Sequence, residues 1–208
     1  MDATEIEPLF TRSGGDYVFA RWGRPIAPVV FGVDDATLAV VKGAVSVLCE
    51  LAHHPMTEMD PELGVNFMVF FLRDWEELRH VPDLDRLIEG LGPLLDRLEG
   101  ASANQYRVFR FDESGAIRAS FVFVRMDAEM SGVPAETLAL SQVAQSILLW
   151  SDTAFIDRSP LARTPGGAIV LHPDIGAVIR AGYDPVLPPV ARDPSHALRL
   201  SARVTPPT

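Results

Sequence analysis

QYRVFRFDESGAIRASFVFVR, residues 105–125, is the stretch whose reading decides the fold. Its two halves, QYRVFRF (105–111) and AIRASFVFVR (116–125), alternate in character, and DESG between them has the length and composition of a tight connection. A strand sends successive side chains to opposite faces, so paired alternating runs around a short polar turn predict a β-hairpin. Ile117, Ala119, Phe121 and Phe123 are expected on one face, with Arg118 and Ser120 on the other.

Upstream, VNFMVFFL (65–72) is apolar without interruption. Such runs belong to central strands covered on both faces. The segments YVFARW (17–22) and PIAPVVFG (25–32) also read as extended. Pro25 and Pro28 lack an amide donor, which places the second of these at a sheet edge. Asp34-Asp35 opens a helix by accepting from its free first-turn amides. Leu38, Val41, Val45, Leu48 and Ala52 carry that helix at helical spacing, and Pro55 stops it. Leu84, Leu87, Ile88 and Leu91 predict two short helices or one kinked helix, with Gly92-Pro93 as the interruption.

Downstream, a helix is expected from about Pro134 to Trp150, a short strand at GAIVL (167–171), and a helix from Pro173-Asp174 to near Gly182. Strands and helices interleave irregularly around a central hairpin, so the fold class is α+β, a mixed, partly antiparallel sheet with packed helices. Residues 17–185 read as the single domain, 1–16 as a mobile lead-in and 186–208 as a proline-rich tail. Within that tail ALRLSARV (197–204) alternates and is expected as a strand able to pair with an edge, its own sheet's or another chain's.

Composition excludes several function classes. The 208 residues carry 28 acidic against 18 basic side chains, a formal net charge of −10, and Lys42 is the sole lysine. Such a chain repels phosphate backbones and anionic lipid surfaces, so neither nucleic acid nor a membrane is an expected partner. No run approaches the roughly 18 apolar residues a spanning helix needs, and the acidic N-terminus has no signal-like apolar core. The expectation is a cytoplasmic protein. Cys49 is the only cysteine, lies beside an apolar helical face, and reads as a small core residue.

Motifs for catalysis are missing. There is no H-E-x-x-H, no G-x-S-x-G and no phosphate loop, since SGGD (13–16) lacks a following Gly-Lys-Ser/Thr. His53 and His54 fall at a predicted helix C-terminus, where they suit the dipole. Glu58, Asp60 and Glu62 read as a solvated acidic loop without the glycine and distal glutamate of a calcium loop. One pattern stands out. In TLALSQVAQSILLW (137–150), Ser141, Gln142 and Gln145 occupy i, i+1 and i+4, the positions that carry ligand, base and ligand in metal-bearing helices. Serine and glutamine are poor zinc ligands, so neither a metal nor another cofactor is expected.

Arg21-Trp22 with Pro25-Ile26, the helix glutamine Gln145, Asp152 in the following loop, and Tyr183-Asp184-Pro185 together resemble a bacterial family of unknown function with a zincin-like layout. The resemblance spans residues 21–185 and rests on short motifs. The family's two helix glutamates fall on Ser141 and Gln142, a departure at the point where its chemistry would reside. What the resemblance implies is a zincin-like α+β fold in which this helix turns its polar face toward a cleft.

The sequence therefore predicts a non-catalytic domain that acts by binding, to a protein, a small molecule or a second copy of itself, with Ser141, Gln142, Gln145, Asp152 and His172 as the candidate cleft. The alternative is a metal-independent hydrolase built on Ser141, Asp152 and His172, which requires those groups within hydrogen-bond reach.

Overall fold

The structure is a computed structural model, and it describes residues 1–204. In chain order the elements are α1 (Ala3–Ile6), β1 (Phe19–Ala20), β2 (Pro28–Phe31), α2 (Asp35–Leu51), β3 (Phe67–Leu72), α3 (Leu84–Leu87), α4 (Leu91–Gly100), β4 (Gln105–Phe111) and β5 (Ile117–Arg125). They continue with α5 (Ala135–Ala144), β6 (Leu161–Arg163), β7 (Ile169–Leu171), α6 (Pro173–Gly182), β8 (Val190–Ala191) and α7 (Ser195–Ser201). Among the described residues, no helix is long and apolar enough to cross a membrane.

The fold is α+β around a mixed sheet of order β2-β3-β5-β4. Strands β2, β3 and β5 run parallel, and β4 closes the far edge antiparallel to β5. Pro28 lies in edge strand β2, where a missing amide donor is tolerated. Strand β3 sits in the middle and alternates without error. Phe67, Val69 and Phe71 enter one hydrophobic cluster, and Met68, Phe70 and Leu72 enter a second one. The first cluster is closed by α2, α5 and α6, the second by α3, α4 and a 3-10 helix at Trp75–His80. Both sheet faces are thus covered, which explains why VNFMVFFL shows no polar positions.

Helix α2 starts as its sequence predicts, with the Asp34 carboxylate accepting from the Thr37 amide at 2.8 Å. The expected hairpin is β4–β5, with Gln105 opposite Val124 and Arg110 opposite Ala119. Its face assignment breaks at one point. Phe111 pairs with Ile117, so Arg118 is an extra residue in the ladder. A bulge of this kind reverses the alternation beyond it, which sends Ile117 to the first cluster while Phe121 and Phe123 join the second. Ser120 is wholly buried rather than solvated, because its face is covered too.

The ends of the chain depart from expectation. Residues 1–16 are docked: Ile6 and Phe10 are fully buried, and Phe10 stacks on Trp150 with ring centroids 5.2 Å apart. The first five residues of ALRLSARV complete α7 instead of forming a strand, and that helix buries His196, Ala197 and Leu200. Three buried positions at i, i+1 and i+4 are a helical face, and residue-by-residue alternation over so short a run mimicked a strand. The stretch available for pairing with another chain's sheet edge is therefore spent on this protein's own core. Residues 205–208 of the expected tail lie outside the described residues.

Candidate functional site

Helix α5 ends at Ala144, well before Trp150, and its ending builds the candidate site. Its last carbonyls and those just beyond it are taken by aromatic side chains. The Trp150 indole donates to Ala144 O at 2.9 Å, the Trp22 indole to Ser146 O at 2.9 Å, and the Tyr183 hydroxyl to Ile147 O at 2.8 Å. Orphan carbonyls at a helix end need such donors when they are buried. The chain then leaves in extended form, with Leu148 bridging Arg21 and the Leu149 amide donating to Ala20 O. The Arg-Trp and Tyr-Asp-Pro elements noted in the sequence are accordingly the clasp that terminates α5. The Arg21 guanidinium lies 5.5 Å from the Tyr183 ring centroid, a cation–π distance.

Beyond the clasp, α5, β4, the loop at 150–156 and the docked N-terminal segment enclose a cleft of about 430 Å³. Phe109, Trp150, Phe155 and Ile156 contribute its apolar wall, and Arg12, Gln105, Arg107, Gln145 and Asp152 its polar groups. The loop is tied to the N-terminal segment: Ser151 Oγ donates to Thr11 O at 2.6 Å, and Ser13 donates to the Asp152 carboxylate through its hydroxyl and, at 2.9 Å, its amide. These bonds, the Ser13 hydroxyl foremost, hold the exposed Asp152 carboxyl below the usual carboxylate range.

At the base of the cleft is Arg107. Its Nη2 donates to Gln105 Oε1 at 3.2 Å and to Gln142 Oε1, while Gln142 Nε2 donates to Gln105 Oε1 at 3.0 Å. Among the described residues the guanidinium has no carboxylate partner, and its enclosed Nε has no hydrogen-bond partner. Burial pushes its pKa down to about 10, so it remains charged at neutral pH.

The five candidate residues from the sequence are thus divided. Gln145 and Asp152 line the cleft directly. Gln142 is buried and reaches it through Arg107. Ser141 lies one contact behind, accepting from Gln145 Nε2 at 3.0 Å. His172 is elsewhere: it caps α6, with its Nδ1 accepting from the Asp174 amide at 3.3 Å, and is not among the cleft-lining residues. No hydrogen bond joins Ser141, Asp152 and His172 to one another, so the expected hydrolytic constellation is not assembled.

Other groups weighed in the sequence have structural employment. Asp60 is buried, not solvated, and binds Arg24 at 3.1 Å and the amides of Glu62 and Leu63 at 2.9 Å each. His54 Nε2 contacts Arg24 O at 2.8 Å. Cys49 is buried in the core, and burial pushes its thiol up to about 11, far from an activated thiolate. Among the described residues, no group of three His, Cys, Asp or Glu side chains is placed to hold a metal ion.

Sequence reasoning missed Arg107 and Arg12. A signal for Arg107 was present: it shares strand parity with Phe109, so a central-facing position carried a charge. Arg12 was hidden by treating the N-terminal segment as detached. Comparison of the chain with protein-family models, curated proteins and solved structures gave no match.

Proposed function

We propose that this protein is a non-catalytic binding domain whose ligand occupies the cleft between α5, β4 and the 150–156 loop. The observation that carries the reading is Arg107, a half-buried charged side chain oriented by two neutral amides at the base of a cleft with an apolar wall. The cleft volume falls in the range of roughly 300–1,000 Å³ typical of small-molecule sites. A few placed polar groups beside an apolar wall are the usual composition of such sites. A small molecule, not a second copy, is the occupant this geometry favours. The zincin-like layout is part of the same proposal, and it is supported by α5 packing into the sheet's first cluster with Gln145 at the cleft and Gln142 behind Arg107.

The test sets binding against catalysis. Purified protein is assayed against chromogenic esters and amides beside the Ser141→Ala variant, and a small-molecule set is screened by thermal shift on wild type and on Gln145→Phe, which fills the cleft. The reading expects no turnover and stabilising compounds whose effect disappears in Gln145→Phe. Turnover that is lost in Ser141→Ala contradicts it.

A further inference from the structure

We propose that the cleft is selective for a small organic monoanion, a carboxylate carried on an aromatic or aliphatic body. This rests on the binding reading above and adds the chemical class of the ligand. In a chain of net charge −10, the cleft brings together two guanidinium groups, Arg12 and Arg107, neither of which has an ion-pair partner among the described residues. Against them stands one carboxylate in the lining, Asp152, which accepts from Ser13 and keeps its negative charge, so the cleft carries two positive charges to one negative. The local charge therefore opposes that of the rest of the molecule and draws in anions.

The hydrogen bonds of Arg107 specify more. Gln105 and Gln142 both bond to Nη2, which fixes the plane of the guanidinium without neutralising it. Nη1 makes no hydrogen bond among the described residues and is the donor left for a ligand. A guanidinium partly withdrawn from water and left incompletely bonded is costly, and an anion on Nη1 offsets part of that cost. A carboxylate on Nη1 forms a charge-assisted hydrogen bond, the stronger kind.

Polyanions fit poorly. Gln145 is the C-cap of α5, so the cleft meets the partially negative end of that helix and none of the first-turn amides that hold phosphate; one negative charge is offset there by the guanidinium groups, and each further charge is opposed by the helix end and by Asp152. Trp150, Phe155 and Ile156 supply apolar surface for the remainder of the ligand.

The experiment is an NMR titration of the full chain with 3-phenylpropionate, its primary amide and phenyl phosphate, following the Trp150 indole and Gln145 signals. The acid is expected to bind at least about tenfold more tightly than the amide, the difference expected when a charge-assisted hydrogen bond is lost. Phenyl phosphate is expected to bind more weakly than the acid. Arg107→Gln is expected to remove the preference for the acid while leaving amide binding in place. Should Arg107→Gln fail to fold, Gln142→Glu supplies the same test, because an internal carboxylate occupies the guanidinium and competes with the ligand. Equal binding of acid and amide in wild type, or an acid preference that survives both substitutions, overturns the ligand class and leaves the binding reading standing. Tighter binding of phenyl phosphate overturns the class in the same way. Silence of both signals toward all three probes at millimolar concentration counts against the cleft as a binding site, and so against both.

Discussion

Gln142 of α5 and Arg107 of β4 are locked together, the glutamine oxygen accepting from the guanidinium while its amide nitrogen donates to Gln105 at 3.0 Å. This amide bridge fastens the last turn of α5 to the edge strand of the sheet and forms the base of the cleft. Gln142→Ala removes an acceptor from a charged group that is largely out of water, so a loss of about 2 kcal/mol is expected in denaturant unfolding. Gln142→Glu pairs the charge, so its midpoint at neutral pH should equal or exceed that of wild type. Equal midpoints for the alanine variant and wild type would show that the bridge is dispensable.

Stability should fall on mild acidification because of His196. This side chain is buried against Phe19 and Tyr17, with Tyr17 Oη 3.0 Å from Nδ1. Burial, aided by Arg199 and Arg203, pushes its pKa down to about 4. The fold holds the ring neutral, whereas the unfolded chain takes up a proton below about pH 6.5. Stability from this source is complete above that value and is lost as pH falls toward 4, by about 3 kcal/mol in all. His54, also held low by burial, acts in the same direction. Urea midpoints measured across this window should slope downward in wild type and flatten in His196→Phe; parallel slopes would remove His196 as the cause.

Gly32 should tolerate no side chain. It follows β2 with φ +80°, and a Cβ there would lie 2.0 Å from the Phe71 carbonyl oxygen of β3. Left-handed strain and a backbone collision combine, so Gly32→Ala is expected to cost about 3 kcal/mol or more. Gly15 has φ +92° but open space around it, and its alanine variant should lose only about 1 kcal/mol. Similar thermal midpoints for the two variants would contradict the close approach of β2 and β3.

Ser120 is a core position where less polarity should help. Its hydroxyl is fully buried in β5 without a hydrogen-bond partner among the described residues. Ser120→Ala is expected to stabilise by up to about 1 kcal/mol, since the unpaired group's desolvation is relieved and the volume is nearly kept. A clear loss of stability would mean that the hydroxyl is bonded after all.

Much of the fold was legible in the sequence because periodicity reports burial. VNFMVFFL revealed a strand covered on both faces, Asp34 marked the start of α2, and the DESG turn fixed the β4–β5 hairpin. What was illegible came from contacts between distant segments. Nothing local shows that Trp22 and Tyr183 take the carbonyls of Ser146 and Ile147, so α5 read as longer than it is. Nothing local docks Phe10 on Trp150, so the N-terminal wall of the cleft was assigned to a free lead-in. The bulge at Arg118 likewise depends on the partner strand, which is why alternation misplaced Ile117.

The candidate site was half legible for the same reason. Gln142 and Gln145 stood out as uncharged polar residues in an apolar helix; Gln145 lines the cleft and Gln142 holds Arg107 from behind it. His172 stood out by its place after that helix and before Pro173-Asp174, and the chain routes it to the start of α6.

The central claim is that a ligand binds at Arg107 between α5 and β4. The most direct measurement is a crystal structure of the protein soaked with 3-phenylpropionate. The account predicts the carboxylate on the Arg107 guanidinium and the phenyl group against Trp150 and Phe155. Density for the acid at another place, with Arg107 bare and the cleft filled only by water, would contradict it.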